Sequence, residues 1–380
     1  MIYFDNAATT WPKPQTVNNA IAQAMRQYGA NPGRSGHKMS FETAMKIYEV
    51  REAAAEMFGA NNAENVVFTQ NCTHALNIAI KGLLSPGDHV LVSELEHNSV
   101  LRPVHALAER GICQYSVVPV VDDDGETVAN FAAHILPNTK LIICTHGSNV
   151  WGIQPPIKKL GELAKQKDVF FIVDAAQAAG VVDINIKECG IDFLCTAGHK
   201  SLYGPPGTGM LVTVQGAALR PLIEGGTGSH SVDLTQPVDM PERLESGTIN
   251  TMGIIGLGAA MKYIKRKGCC NIYKHEITLA RMIYRKLKRM PNIELYTDFE
   301  AGSQLPVLSF NIKGQHSEEV AAALSDRGFA LRGGLHCAPF AHRRMGTLER
   351  GAARISVGAF NTQEQTDLLC REIRKLANKN

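Results

Sequence analysis

Residues 198–201 combine side chains that could bind and react with an anionic aldehyde. Lys200 follows His199 directly after an apolar run that ends in Ala and Gly. A lysine amine at such a turn can form an imine with an aldehyde, while His199 and Ser201 can donate hydrogen bonds to an anion. A lone Gly-His-Lys sequence is more often a solvated loop, because short motifs match by chance. These residues therefore predict chemistry only if a second group accompanies them.

Asp174 is such a group, 26 residues upstream of Lys200. It ends another apolar run, residues 169–173, and Ala175-Ala176-Gln177 follows it. An acid that pairs with a pyridinium nitrogen and a lysine that forms a Schiff base are the two groups that a pyridoxal phosphate enzyme needs. The pair therefore predicts a site for pyridoxal 5'-phosphate.

Further side chains could hold the phosphate or the ring of this cofactor. Cys72 and Thr73 lie where residues 71–74 open a predicted helix, a place that suits phosphate but is equally typical of a simple helix cap. His97 could stack on a pyridine ring, although a lone His at a strand end is more often structural. Gln177 could reach the ring hydroxyl if a helix begins there, or it could be a capping residue.

The elements that must position these side chains alternate between strands and helices. Strands are predicted at residues 66–69, 90–93, 114–118, 141–144, 170–174, 193–196 and 209–214, with helices around 73–83, 99–110, 157–167 and 184–189. Apolar strands separated by helices predict a mainly parallel sheet with helices on both faces. Ligands bind at the carboxyl ends of such strands. Residues at predicted strand ends are His97, Asn149, Asp174, Gln177, His199 and Lys200. Their shared position predicts a common site.

The pattern changes after about residue 250. Helices are predicted at 253–267, 271–289, 317–327 and 363–378, and strands at 307–312 and 353–356. This mixture predicts a smaller α+β domain that the N-terminal strand joins. The expected division is a large domain over residues 16–265 and a smaller domain formed by residues 1–15 and 266–380.

The segment from Arg332 to Pro339 carries a candidate nucleophile, Cys337. A cysteine on a Gly-rich turn beside His336 and Arg332 is in a setting that favours an exposed thiolate. The other eight cysteines lack such neighbours and are typical of buried small side chains. Arg354 interrupts an apolar strand, so it is either part of a structural ion pair or a fork for a substrate carboxylate. The cofactor site favours the fork.

The totals exclude several other classes of protein. The net charge of the 380 residues is +3 with dispersed Lys and Arg, which argues against nucleic-acid binding. No apolar run has the length of a membrane span. Nine cysteines without a CxxC pair predict reduced thiols in the cytoplasm and no metal site. Residues 204–209 imitate a nucleotide loop, but Met210 stands where such a loop needs lysine.

In order and at these spacings, the motifs resemble those of cysteine desulfurases and selenocysteine lyases, a branch of the class V aminotransferase-like enzymes. The likeness covers nearly the whole chain, at residues 3–8, 96–98, 145–149, 173–177, 198–200, 245–251 and 332–339. The Arg-x-Gly-x-His-Cys-Ala form is similar to the group II branch, which has a short cysteine loop. The resemblance implies an α/β protein of fold type I, with a seven-stranded, mainly parallel sheet in the large domain.

The resemblance also implies roles for the matching positions. For the cofactor they are Lys200 as the covalent anchor, Asp174 at the pyridine nitrogen, His97 on the ring, Gln177 at the phenolic oxygen, and Thr73, His199, Ser201 and the partner's Thr248 at the phosphate. For the substrate they are Asn149 and Arg354 at the carboxylate, with Arg332 and His37 nearby and Cys337 as nucleophile. The chain departs from the family pattern at Cys72, where hydroxyl residues are common, at Gly333, a frequent threonine, and at Leu335, a frequent histidine.

The implied activity is conversion of L-cysteine to L-alanine, with the sulfur left as a persulfide on Cys337. A homodimer and a sulfur-acceptor protein, as in iron–sulfur cluster assembly, are the expected partners. Selenocysteine lyase is an alternative with the same residues. An aminotransferase, a kynureninase-like hydrolase or another β-lyase would need Lys200 and Asp174 but not Cys337. A binding protein with a degenerate site is a further alternative, against which the retained Lys200, Asp174 and Arg354 argue.

Overall fold

The computed structural model describes residues 1–33, 36–214 and 216–378; the last two residues of the expected smaller domain lie outside this part of the chain. The elements follow in the order β1 (Ile2–Tyr3), α1 (Gln15–Gln27), α2 (Lys38–Phe58), β2 (Val66–Thr69), α3 (Cys72–Leu83), β3 (Asp88–Ser93), α4 (Asn98–Glu109), β4 (Cys113–Val118), α5 (Asp124–Ala133), β5 (Thr139–Thr145), α6 (Ile157–Gln166), β6 (Phe170–Asp174), β7 (Phe193–Ala197), β8 (Gly209–Thr213), α7 (Thr251–Lys267), α8 (Cys269–Leu287), β9 (Ile293–Leu295), β10 (Val307–Ile312), α9 (Ser317–Ser325), β11 (Phe329–Ala330), α10 (Pro339–Met345), β12 (Ala353–Ser356) and α11 (Gln363–Ala377).

A seven-stranded sheet in the order β2-β8-β7-β6-β5-β3-β4 forms the centre of the molecule. Its strands from β7 to β4 are parallel to their neighbours, whereas β8 is antiparallel to both β2 and β7. Strands β7 and β8 are buried along their whole length, because helices cover both faces of such a sheet and only continuous apolar runs can occupy it. The predicted fold class is confirmed.

The remaining strands form two small sheets. β10 lies between β12 and β9 in an antiparallel sheet, and β1 pairs in parallel with β11. A separate hydrophobic core lies under these sheets, where Phe4 of the N-terminal segment packs with Phe310 and Ile373. The first residues of the chain are therefore held against its C-terminal third.

The helix predicted at residues 184–189 is wrong, since this segment consists of turns. The side chain of Asn185 accepts hydrogen bonds from the backbone N–H of Lys187 at 3.1 Å and of Glu188 at 3.2 Å. Such local bonds offer the backbone an alternative to the helix. Four elements of the described chain were not predicted from the sequence: α5, β9, β11 and α10.

Within the described residues, none of the helices combines the length and the apolar character that crossing a membrane requires.

Candidate active site

A cavity of about 260 Å³ opens at the carboxyl ends of β3, β5, β6 and β7. Ten of the residues predicted for the site line it: Cys72, Thr73, His97, Asn149, Asp174, Gln177, His199, Lys200, Arg332 and Arg354. They come from seven separate parts of the sequence. Most of them meet because they follow strands of the large sheet, whose carboxyl ends share an edge, whereas Arg332 and Arg354 reach the cavity from the small sheets.

Asp174 and Lys200 form the electrostatic centre of the cavity. The Oδ1 atom of Asp174 accepts hydrogen bonds from the N–H of Ala176 at 2.9 Å and from the Cys72 thiol at 3.4 Å. Burial raises the pKa of Cys72 well above its usual value, and the Asp174 charge raises it further, so Cys72 is a neutral donor. Burial lowers the pKa of Lys200, with Asp174 opposing the shift. A lowered pKa supplies the free amine that a nucleophilic lysine needs.

His97 presents a neutral ring to the cavity. It is the residue before α4, and its Nδ1 accepts the N–H of Ser99 at 3.0 Å. Burial lowers the pKa of His97 to about 4, with the charge on Lys200 as a further cause. A neutral imidazole whose orientation is fixed by a hydrogen bond is suited to stacking on an aromatic ring.

The start of α3 gives the cavity an anion-binding character. Thr73 lies in its first turn, and the Asn71 side chain caps the helix by accepting the N–H of His74 at 2.9 Å. Backbone donors and the helix dipole at such an N terminus favour phosphate. Across the cavity, burial lowers the pKa of His199 to about 4, and the carbonyl of His199 accepts the Lys13 ammonium at 2.7 Å.

Arg354 is both ion-paired and incompletely satisfied. Its side chain is almost fully buried, with Nη2 at 2.7 Å from Asp5 Oδ1 and Nη1 donating to the carbonyl of Asn149 at 3.0 Å. The structural ion pair, which was the alternative to a carboxylate-binding role for Arg354, is therefore present. The Arg354 Nε has no partner within the described chain. A buried donor without an acceptor is costly, so a ligand carboxylate would satisfy this arginine.

Cys337 is exposed, on a turn between β11 and α10. Its carbonyl accepts the N–H of Asn98 at 2.7 Å, which places the residue that bears the thiol next to the start of α4 and therefore next to His97. The preceding residue, His336, is buried and lines the cavity. The thiol therefore lies at the edge of the site and not within its lining.

Three other predicted residues do not line the cavity. The Ser201 hydroxyl donates to the carbonyl of Gln177 at 3.0 Å. Thr248 is exposed and lines a separate cavity of about 190 Å³. His37 is exposed and caps α2 by accepting the N–H of Ser40 at 3.3 Å. In a single chain, therefore, these side chains are turned to other contacts.

Gln177 lines the cavity, but no helix begins at it. Residues 176–178 form a turn, and the Gln177 amide donates to the carbonyl of Ala7 at 3.0 Å. The contact of Gln177 with a ring hydroxyl was predicted on the condition that a helix begins there, and this condition is not met. Its predicted position at the cavity is nevertheless observed.

Sequence reasoning gave no role to Asp5 or Lys13, which bond to site residues from outside the cavity lining, and it did not predict that His336 lines the cavity. Asp5 and Lys13 are far from their partners Arg354 and His199 in the chain. Asp5 and His336 do belong to motifs that carry the family resemblance, but nothing in the sequence alone indicates which atoms they contact.

Comparisons with known proteins show the family of the chain. A sequence model of the family described as aminotransferase class-V matches residues 2–369. The chain is 34% identical to a probable cysteine desulfurase of Methanothermobacter thermautotrophicus, over 99% of this chain and 94% of that protein. It is 31% identical to a probable cysteine desulfurase of Mycolicibacterium paratuberculosis, of whose length it covers only 55%. The apo structure of a cysteine desulfurase from Thermococcus onnurineus superposes with a TM-score of 0.93 at 32% identity, covering 100% of this chain and 95% of that chain. The chain therefore belongs to the class-V aminotransferase family.

Proposed function

We propose that this protein is a pyridoxal 5'-phosphate-dependent cysteine desulfurase, which converts L-cysteine to L-alanine and keeps the sulfur on Cys337. The observation that supports this most is the exposed Cys337, bonded through its carbonyl to Asn98 at the edge of the cavity that holds Lys200 and Asp174. An aminotransferase would need the two cavity residues but would have no use for a thiol there.

The cavity residues fit the cofactor chemically. A lysine with a lowered pKa, Lys200, lies opposite the carboxylate of Asp174, and His97 offers a neutral ring. Gln177 would meet the phenolic oxygen, and the phosphate would be held by Thr73, His199 and Ser201, with Cys72 at the same helix start. When bound, pyridoxal 5'-phosphate withdraws electrons from the substrate Cα.

The chain's own residues then bind the substrate and move its proton. Arg354 and Asn149, which both line the cavity, hold the substrate carboxylate. Arg332 lines the same cavity, whereas the proposal of His37 near the substrate rests on the family resemblance, since His37 caps α2 outside the cavity of a single chain. Lys200 is the base that accepts the proton from Cα, since its lowered pKa leaves part of it as the free amine.

Cys337 performs the sulfur step. Its thiolate attacks the substrate sulfur, so that an S–S bond forms as the Cβ–S bond breaks. The electron pair of the broken bond goes to the substrate Cβ, which takes up a proton and becomes the methyl group of L-alanine. Cysteine and the Cys337 thiol thus give alanine and a Cys337 persulfide, with no external oxidant or reductant.

The proposal includes a homodimer in which Thr248 of the partner subunit completes the phosphate site. The exposed apolar side chains Phe41, Met45 and Tyr48 recur at helical spacing on α2 and support such an interface. A sulfur-acceptor protein would remove the persulfide sulfur, as in iron–sulfur cluster assembly. We also propose a cytoplasmic location and a division into a large domain, residues 16–265, and a smaller domain of residues 1–15 and 266–380.

Alanine release from L-cysteine tests the activity. Wild type and Cys337→Ala are assayed with added cofactor, without oxygen and with a thiol reductant. Alanine from the wild type alone is the expected result. Alanine from neither protein would refute the desulfurase proposal, and the same assay with L-selenocysteine would then test the lyase alternative. Equal alanine release from both would show that the Cys337 thiol is not the nucleophile.

A further inference from the structure

Two consecutive residues of the cysteine turn, residues 334–338, have left-handed backbone conformations. The φ angle is +49° at His336 and +57° at Cys337, and both residues carry a Cβ. This conformation is unfavourable for residues other than glycine, and it persists where the surroundings hold the chain in place. Contacts must therefore maintain the turn that carries the thiol.

Three hydrogen bonds fix the left-handed pair, His336 and Cys337, to three different parts of the fold. The His336 carbonyl accepts the Asn149 side-chain Nδ2 at 2.7 Å, and the Cys337 carbonyl accepts the backbone N–H of Asn98, also at 2.7 Å. The His336 ring bonds through Nε2 to the carbonyl of Ala352 at 2.8 Å. Both carbonyl groups of the left-handed pair are thus held by residues outside the turn.

These bonds connect the turn to the parts of the site expected to bind the substrate. The carbonyl of Asn149 accepts Arg354 Nη1 at 3.0 Å. Asn98 is the first residue of α4, directly after His97. A continuous series of hydrogen bonds therefore runs from the buried arginine through Asn149 to the cysteine turn, and from the turn to the helix behind the His97 ring.

We propose that Asn98 and Asn149 are positioning residues that hold Cys337 in the orientation from which its sulfur attacks the substrate. Neither acts on the reacting atoms in this role. Asn98 acts through its backbone N–H, and Asn149 acts through the His336 carbonyl. The proposal rests on the proposed function, because it assigns a purpose to the placement of the thiol.

The side-chain amide of Asn149 can serve the turn and the substrate together. Its Nδ2 carries two hydrogen atoms, and one of them is used by the His336 carbonyl. The second remains for a substrate carboxylate held beside Arg354. One amide group thus binds both the substrate carboxylate and the turn that carries the Cys337 thiol. This shared contact fixes the distance between the substrate and the nucleophile.

Asn98→Pro removes the backbone donor without disturbing the helix. Proline lacks the N–H and fits the first position of a helix. The residue before a proline prefers an extended conformation, and His97 is already extended, with ψ of 157°. Asn98→Ala is the matched variant, since it loses the same side chain but retains the N–H. The ratio between the alanine and proline variants therefore reports the loss of the bond to the Cys337 carbonyl together with the displacement of that carbonyl by the proline ring, and both effects release the turn.

Three measurements on the cofactor-loaded enzymes separate positioning from general stability. They are kcat and KM for alanine release from L-cysteine, the absorption change of the bound cofactor on mixing with L-cysteine, and the rate at which iodoacetamide alkylates Cys337, followed by peptide mass. We expect kcat of the proline variant to be at least about fivefold below that of the alanine variant, since the loss of one neutral hydrogen bond alone would give that ratio. KM and the absorption change are expected to be equal, and alkylation is expected to be at least about threefold faster.

Equal kcat values and equal alkylation rates for the two variants would overturn the proposal. A parallel loss of kcat, substrate binding and cofactor absorption would also overturn it, because it would indicate a general structural role. If wild type releases no alanine, the proposed function fails and the alkylation ratio alone decides on positioning. If the proline variant does not fold, Asn149→Asp, which has the same shape but lacks the Nδ2 donor, replaces it in the alkylation measurement. Unchanged alkylation of that variant would refute the proposal.

Discussion

The ion pair between Arg51 and Glu245 is expected to be the most costly single contact to break outside the cavity. Arg51 Nη1 and Nη2 lie 2.7 and 2.9 Å from Glu245 Oε1 and Oε2, and both side chains are less than one-tenth exposed. Arg51 also donates to the carbonyl of Val66, and Glu245 accepts the N–H of Phe68. Both terminal nitrogens of the guanidinium and both oxygens of the carboxylate thus have partners inside the protein.

Arg51→Met should therefore lower the free energy of unfolding by about 4 kcal/mol. The arginine is replaced by an apolar side chain of comparable length, and the carboxylate of Glu245 remains buried without its counter-charge, for which losses of about 3–5 kcal/mol are typical. Urea denaturation of wild type and variant measures the difference. The double variant Arg51→Met with Glu245→Leu should recover most of the loss, because no buried charge is then left unpaired.

An exposed ion pair is the control. Lys265 Nζ lies 2.6 Å from Glu56 Oε1, but the two side chains are 71% and 68% exposed. Lys265→Met should cost less than about 1 kcal/mol. If Arg51→Met is as mild as this control, or if the double variant is less stable than the single one, the argument from burial is refuted.

The Arg51→Met variant should also bind the cofactor more weakly. The reason is that Thr248, which is proposed to bind the phosphate, follows Glu245 by only three residues.

Two further predictions concern packing and pH. Gly333→Thr, which introduces the residue frequent in the family, should lower the free energy of unfolding by about 2–3 kcal/mol, because a Cβ there would lie 2.3 Å from the Ser317 carbonyl oxygen. Gly29→Thr, with nothing within 4 Å of such a Cβ, is its control in the same denaturation assay, and equal effects would contradict the prediction. Burial raises the pKa of Glu96 from 4.5 to about 8. The folded state therefore binds the Glu96 proton more tightly than the unfolded state. The free energy of unfolding should fall as pH rises from about 4.5 to about 8, by at most about 5 kcal/mol. Urea denaturation at several pH values should show that the free energy of unfolding falls less steeply with pH for Glu96→Gln than for wild type. The same pH dependence for both proteins would contradict the prediction.

The large sheet was predictable because its strands are buried on both faces. Each central strand is a short apolar run that contrasts with the helices around it, so β2 and β6 were predicted with the same bounds as the structure shows. Helix α5 was not predicted, since its first turn contains Asp124 and Gly125 and its signal is a cap, the Asp123 side chain accepting the N–H of Glu126 at 2.7 Å.

The site was predictable as far as it depends on strand ends. Residues such as Asp174 and Asn149 follow buried strands, and topology then brings them to one edge. The ion pair of Arg354 with Asp5 was not predictable, because 349 residues separate the two in the sequence and only the packing of the N-terminal segment joins them. The same holds for the contact of Asn149 with the cysteine turn, which depends on the left-handed conformation of His336.

The central claim is that sulfur from L-cysteine is transferred to Cys337. The most direct test is a single turnover of the cofactor-loaded enzyme with one equivalent of L-cysteine, without oxygen or reductant, followed by peptide mass analysis. The account predicts that the peptide containing Cys337 gains the mass of one sulfur atom, in an amount equal to the alanine released, and that the eight other cysteines gain none. Release of alanine while Cys337 stays unmodified and the sulfur appears as free sulfide would contradict it.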